Sequence, residues 1–233
     1  MHTIPSNHNL YLMGDYHQGF IELIYNLEAM PPNTSLIILG DYDAYEAKDL
    51  VDLATIAEKH QVVMYLMRGN HDNPKYWQDR KFSEQLKNAW FNLLEDIDLI
   101  VYRDLKLIAV SGAVSVDRTC LRFDNGHCWP KEEGIPKDSV QQIKKLGKCD
   151  ILLTHTGIID GITVKNHFID TYASTDENLI NDIQEERRVI EKLQITSGCT
   201  KHYFGHFHQS WSADKFGVKY KCLGICEIQK VSS

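Results

Sequence analysis

The chain has 233 residues, 43% of them hydrophobic and 24% charged, the balance of a soluble globular fold. A net charge of −7 leaves little general attraction to nucleic acid or anionic membrane, so phosphate binding has to come from a local positive site. The longest apolar runs, such as SLIIL and VVMYLM, are strand length and too short for a helical membrane span.

In chain order, an apolar run at 9–13 predicts a strand. GFIELIYNLEAM (19–30) sets Phe20, Ile21, Ile24, Leu27 and Met30 at helical spacing and stops at Pro31-Pro32. SLIIL (35–39) reads as a buried strand, 45–60 as a helix and VVMYLM (62–67) as a third strand. This β-α-β-α-β order implies parallel strands with right-handed crossovers. A helix is expected over 75–95, then short strands at 98–102 and 105–110. Residues 111–136, rich in Gly, Asp, Arg and Trp, read as an irregular insertion. A helix at 138–146 precedes the buried strand ILLT (151–154), and a long loop over 156–175 leads to an amphipathic helix at 177–195, whose EERR reads as a solvated face. From 201 onward the pattern alternates as in antiparallel strands. No repeat or linker interrupts the chain, so a single domain over 1–233 is expected.

The opening MHTIPSNHNL lacks a basic stretch followed by an apolar one, so the expected compartment is the cytoplasm. Six cysteines, at 120, 128, 149, 199, 222 and 226, form no C-x-x-C pair. That fits buried free thiols better than a zinc knuckle or a disulfide framework.

Several strand-like runs end alike. LYLMGDYH, LIILGDYD, MYLMRGNHD and YFGHFH each place a glycine directly before Asp15, Asp41, Asn70 and His206, and DILLTH ends in His155. Glycine permits a sharp turn and close approach at a strand end. Ligands of open α/β sheets bind beyond the carboxyl ends of the strands, so these side chains converge on one crevice. The types fit two metal ions. Asp15 and His17 share a turn and can chelate one ion, and Asp41 has two oxygens to bridge a pair roughly 3.5–4 Å apart. Asn70 offers an amide oxygen, and His155 with one histidine of the His206/His208 pair completes the second ion. In a strand, i and i+2 share a face, which would aim both of those imidazoles at one space. Carboxylate, amide and imidazole without thiolate suit two divalent or mixed-valence ions of Mn, Fe, Zn, Co or Ni. Two divalent ions outweigh two aspartates and a bridging hydroxide, leaving a positive pocket for an anionic phosphoester. His71, beside Asn70, is placed to donate a proton to the leaving oxygen, with Asp72 or Asp43 to orient and charge it.

The ordered set GDYH, GDYD, GNHD, TH and GHFH, spanning 14 to 208, resembles the calcineurin-like metallophosphoesterase superfamily. The resemblance implies an α/β/β/α sandwich of two facing mixed sheets. It implies Asp15, His17, Asp41 and His208 on one ion and Asp41, Asn70, His155 and His206 on the other, with His71 catalytic. The resemblance is partial at three points. GDYD carries its second Asp one position early, the DRG of the serine/threonine phosphatase branch is missing, and the fourth motif reads THTG where the family has His followed by Pro or Gly-Gly, while Arg68 before GNHD does echo the phosphatase branch. The complete G-H-x-H is more typical of the phosphodiesterase-like branches. The expected substrate is a small-molecule, nucleotide or phosphoprotein phosphoester. A diester is favoured, with a phosphomonoester or phosphoprotein as the alternative.

Three rivals share fragments. A haloacid-dehalogenase-like reading of the Asp41/Asp43 turn leaves the His and Asn positions unexplained. An HD-type reading of His71-Asp72 needs an all-helical fold. A metal-dead scaffold tends to lose ligands, and none is lost here. His2, His8, His60, His127, His167 and His202 read as structural, while Arg118, Arg122, His127 and Trp129 either line the substrate pocket or belong to a solvated loop.

Overall fold

The computed structural model describes residues 1–119, 126–158 and 166–232. Two mixed sheets face each other across an apolar seam. The first is built from β2 (Asn9–Met13), β3 (Thr34–Ile38) and β4 (Val62–Leu66), which run parallel and are joined by α1 (Phe20–Ala29) and α2 (Ala47–His60). Met30 turns extended ahead of Pro31 and ends α1. At the start of α2 the Asp49 carboxylate accepts from the Glu46 N–H at 2.8 Å, half of a capping box.

The helix expected over 75–95 is instead α3 (Pro74–Gln78), α4 (Arg80–Leu86) and a strand, β5 (Phe91–Leu93). Asp79 is the reason for the first break. Its backbone is extended, and its Oδ1 accepts from the Phe82 N–H at 3.1 Å, so one residue ends α3 and caps α4. Phe91-Asn92-Leu93 is buried throughout and pairs in parallel with β4, a tertiary pairing that overrides the local helical pattern.

The second sheet has the order β1-β6-β7-β8-β9-β11-β10 and the first the order β12-β2-β3-β4-β5. The remaining strands are β1 (His2–Ile4), β6 (Ile97–Tyr102), β7 (Leu105–Val110), β8 (Ile151–Thr154), β9 (Lys201–Phe204), β10 (Trp211–Lys215), β11 (Val218–Cys222) and β12 (Ile228–Lys230). Helices α5 (Ser139–Leu146), α6 (Asn166–Ala173) and α7 (Leu179–Ser197) complete the described elements. The tail is therefore only partly antiparallel. β9 lies parallel to both β8 and β11, β10 and β11 form a hairpin, and β12 crosses to the other sheet beside β2. Helix α6 occupies part of the expected loop at 156–175, of which 159–165 fall outside the described residues.

Side-chain alternation produces the layers. Leu10, Leu12, Ile37, Leu39, Val63 and Tyr65 point into the seam, where they meet Leu107, Ala109, Ile151 and Leu153 of the second sheet. The intervening Met13, Leu36, Ile38, Met64 and Leu66 face α1 and α2 through Leu23, Leu27, Leu50 and Leu53. On the far side Ile108, Val110 and Leu152 pack against Ile143 of α5 and Ile190 and Leu193 of α7. The result is the expected α/β/β/α sandwich. The EERR of α7 is not wholly solvated. Glu185 and Arg188 pair at the surface, but Glu186 accepts the Val114 N–H at 2.6 Å, and burial pushes its carboxyl up to about 7. Among the described residues no helix is long and apolar enough to cross a membrane. Of the described cysteines, Cys149, Cys199, Cys222 and Cys226 are buried free thiols and Cys128 is half-buried.

Candidate metal centre

Five strands deliver the side chains to one end of the seam. Asp15 and His17 follow β2, Asp41 and Asp43 follow β3, Asn70 and His71 follow β4, His155 follows β8, and His206 and His208 follow β9. Of the four repeated glycines only Gly40 takes a positive φ, 115°, and the others serve close approach. A Cβ on Gly69 would collide with Asp41 Oδ1, and one on Gly205 would collide with Asp15 Oδ1. The twist falls on the functional residues themselves. His17, Asp41, Asp43, His206 and His208 all have left-handed backbones, with φ between 43° and 67°, and such uncommon conformations cluster at functional sites. This corrects the expected strand geometry of His206 and His208. β9 ends at Phe204, and two turns, not strand alternation, aim these rings.

Among the described residues three groups could hold an ion, Asp15-His17-Asp41-His208, Asp41-His155-His206 and His17-Asp43-His71, and Asp41 belongs to the first two. In the first, His17 Nε2 lies 2.8 Å from His208 Nε2 and 3.6 Å from Asp41 Oδ2, and His208 Nε2 lies 3.4 Å from Asp15 Oδ2. In the second, Asn70 Oδ1 lies 2.9 Å from both His155 Nε2 and His206 Nδ1, and Asp41 Oδ1 lies 3.2 Å from His155 Nε2. His155 Nδ1 donates to the Leu39 carbonyl at 2.7 Å, which turns Nε2 toward the cluster.

The donor set fits cations. Facing ring nitrogens and carboxylate oxygens repel unless a proton or a metal ion lies between them. Asp15 Oδ2 is buried with no hydrogen-bond donor. Burial opposes charge on His17 and His155, but Asp43 and Asp41 raise His17 to about 9, and Asp41 and Asp15 raise His155 to about 9. Burial, with the charge of His17, lowers His208 to about 4, and burial with His155 holds His206 well below its ordinary value. The first two groups thus each favour charge on one ring and disfavour it on the other, as a proton standing in for a cation would. Burial also pushes Asp15 up to about 6, whereas Asp41 stays well below the usual carboxylate range because His155, His71 and His17 outweigh its burial.

The model of the calcineurin-like phosphoesterase family matches residues 8–210. The chain belongs to that family. It is a metal-dependent phosphoester hydrolase. No curated protein matches it. Among solved structures, it resembles the phosphopantetheinyl hydrolase of Mycobacterium tuberculosis at 12% identity and a TM-score of 0.57, over 97% of this chain and 96% of that one. A Thermus thermophilus protein, TT1561, follows at 11% and 0.54, over 93% and 90%. A dimetal phosphatase of Danio rerio stands at 11% and 0.52, over 96% and 89%. At these identities the likeness is one of fold.

Around the cluster of this phosphoesterase, the two aspartates proposed beside His71 separate cleanly. Asp43 Oδ1 lies 3.2 Å from His71 Nδ1 and accepts from the Tyr45 hydroxyl at 3.0 Å, while Oδ2 lies 3.3 Å from His17 Nδ1. Asp72 does not reach His71. Its carboxylate is fully buried and accepts four backbone N–H groups, those of Asp41, Gly69, Tyr42 and Ala44, at 2.8–3.3 Å. Burial and the neighbouring Asp41 raise it to about 7, against those donors. Asp72 therefore knots the Asp41 turn to the Gly69 turn, and the partner of His71 is Asp43. The early position of this second Asp in GDYD hides it from the family pattern, and only the left-handed turn through 41–43 reveals it.

Two of the three arginines singled out in the sequence, Arg68 and Arg118, are already held by other groups. Arg68 is 1% exposed, and its guanidinium bonds Asp96 Oδ1 at 2.9 Å and the Glu133 carbonyl at 2.9 Å, so it does not reach for phosphate. Arg118 is held by Asp176 and Asp182, each at 2.6 Å. Arg122 lies outside the described residues. His127 stacks on Tyr45 with ring centroids 4.1 Å apart, and Trp129 lies 6.5 Å from Tyr45, so this part of the insertion backs onto the Asp43–His71 pair.

Proposed function

We propose that the chain hydrolyses a phosphodiester at a pair of divalent ions, chosen among Mn, Fe, Zn, Ni and Co. Asp15, His17, Asp41 and His208 hold one ion, and Asp41, Asn70, His155 and His206 the other. The observation that carries this reading is Asp41, whose Oδ2 turns to His17 and whose Oδ1 turns to His155. Bound there, the ions supply Lewis acidity to the phosphoryl oxygens and activate the attacking water.

The side chains do the rest. Asp43 accepts from His71 Nδ1 and orients the ring so that its opposite nitrogen can hand a proton to the leaving oxygen. The same carboxylate orients His17 through Nδ1 and frees its Nε2 for a cation. A diester is favoured because Arg68, the guanidinium nearest in sequence to His71, is committed to Asp96 and cannot help hold a dianionic monoester. We read residues 1–233 as one catalytic domain, since the ligands draw on both sheets, working in a reducing cytoplasm that suits its buried thiols.

The test is a matched assay of the Mn-loaded protein on an aryl phosphodiester and the corresponding aryl phosphomonoester. Turnover of the diester at the higher kcat/KM is expected. Preference for the monoester would reverse the substrate assignment, and no turnover of either with Mn, Ni, Co or Fe would leave a scaffold.

A further inference from the structure

We propose that Ser115, in the segment that follows β7, is a positioning residue for the second ion. It acts by fixing which end of the Asn70 amide faces the cluster. An amide binds a cation only through its oxygen, and its two ends differ little in shape, so something must hold the NH2 end away. Asn70 Nδ2 donates to Ser115 Oγ at 2.7 Å, while Oδ1 turns to His155 and His206. Both residues are buried, Asn70 at 2% and Ser115 at 1% exposure. With Nδ2 spent on Ser115, the oxygen is the end left for the ion.

Ser115 is itself held in place. Its N–H donates to Glu133 Oε1 at 3.0 Å, and that of Val114 donates to Glu186 Oε1 at 2.6 Å. One step earlier, the Arg68 N–H donates to Ser111 Oγ at 3.1 Å, and the Gly112 N–H donates to the Arg68 carbonyl at 2.9 Å. The segment is therefore fastened at both ends, to the backbone just before Asn70 and to two acidic side chains. Irregular backbone held by this many specific bonds is a support, not a solvated excursion. The bonds of Ser115 run to Asn70 and Glu133 and not to Asp15, His17 or His208, so the effect falls on one ion only.

The inference rests on the two-ion reading, and its test separates the two. Mn(II) binding is titrated calorimetrically and by electron paramagnetic resonance for the wild type, Ser115→Ala and Ser115→Thr. Expected are two ions per wild-type chain with an exchange-coupled pair signal. In Ser115→Ala one of the two ions loses about 10- to 100-fold in affinity, the usual effect of removing an outer partner. The other ion is unchanged, and a six-line mononuclear signal appears. Ser115→Thr, which keeps the hydroxyl, restores the pair signal. A wild type that never binds two ions defeats the two-ion reading and this inference with it. A wild type with two ions and a Ser115→Ala variant with the same two affinities overturns the role of Ser115 alone. Equal weakening of both ions also overturns it. If Ser115→Ala does not fold, amide exchange of the unaltered protein decides. A slowly exchanging Asn70 side-chain NH2 supports the bond, and a fast one overturns it.

Discussion

At the scale of single residues, His71 is the group whose removal separates chemistry from architecture. It touches Asp43 and lies beside Asp41, the proposed shared ligand, whose Oδ1 accepts the His71 backbone N–H at 2.9 Å. His71→Ala therefore leaves the ligands in place and removes a proton donor. The expected outcome depends on the leaving group. With a poor, alkyl leaving group kcat falls about a hundredfold or more, as general acid catalysis requires. With a nitrophenyl leaving group, which departs without help, the loss is much smaller. A steady-state assay across a leaving-group series checks this, and a uniform loss contradicts it.

The same scale carries a pH dependence. His17 and His155 have their pKa values raised to about 9, so each is protonated at neutral pH until a cation displaces the proton. Protonation of the site without metal competes with binding, so apparent Mn affinity should rise with pH toward about 9 and level off above it. Calorimetry in buffers of different ionisation enthalpy measures the released protons. Affinity independent of pH between 6 and roughly 9 contradicts the charge state assigned here.

At the scale of elements, the strands and their ends were the legible part. Continuous apolar runs such as SLIIL and VVMYLM identify parallel strands buried on both faces, because both faces are covered. What the runs do not reveal is pairing at a distance. β5 exists because Phe91 and Leu93 find β4, and nothing within 75–95 announces that partner. The aspartates make the same point. By spacing Asp72 is the neighbour of His71, yet the left-handed turn through Asp41 and Asp43 brings Asp43 to the ring, while Asp72 turns inward to backbone N–H groups. The candidate ligands stand out for the opposite reason, since Asp15, Asp41, Asn70 and His206 each directly follow a glycine at a strand end and His155 ends ILLT without one. Gly205→Ala should accordingly push Asp15 out of place and lower Mn affinity at least about tenfold. Gly134→Ala, whose added methyl meets nothing within 4 Å, is the control and should bind as the wild type does.

At the scale of the whole molecule, stability should carry the mark of a histidine outside the site. His202 is fully buried on β9, with Nε2 at 2.8 Å from Thr154 Oγ1 and Nδ1 without a partner. Burial lowers it from 6.5 to about 3. The sign follows directly. Below pH 6.5 the unfolded chain binds a proton that the native state refuses, so stability falls as pH drops from 6.5 to about 3 and is unaffected above that window. The slope from this one group is ~1.4 kcal/mol per pH unit. His202→Phe fits among Phe204 and Tyr220 and removes this liability, and Thr154 keeps its bond to the Thr156 carbonyl. Urea unfolding at pH 7 and pH 5 should show a smaller loss for the variant. An identical loss contradicts the prediction.

The two-sheet sandwich brings ligands from five strand ends to one place, and that convergence gives the chain its proposed chemistry. Its most direct check is stoichiometric reactivation. The protein is stripped with a chelator, Mn is returned in measured equivalents, and hydrolysis of an aryl phosphodiester is followed. A centre built around a shared Asp41 predicts no turnover in the stripped protein and a plateau at about two equivalents per chain. Full turnover without metal, or a plateau at one equivalent, contradicts it.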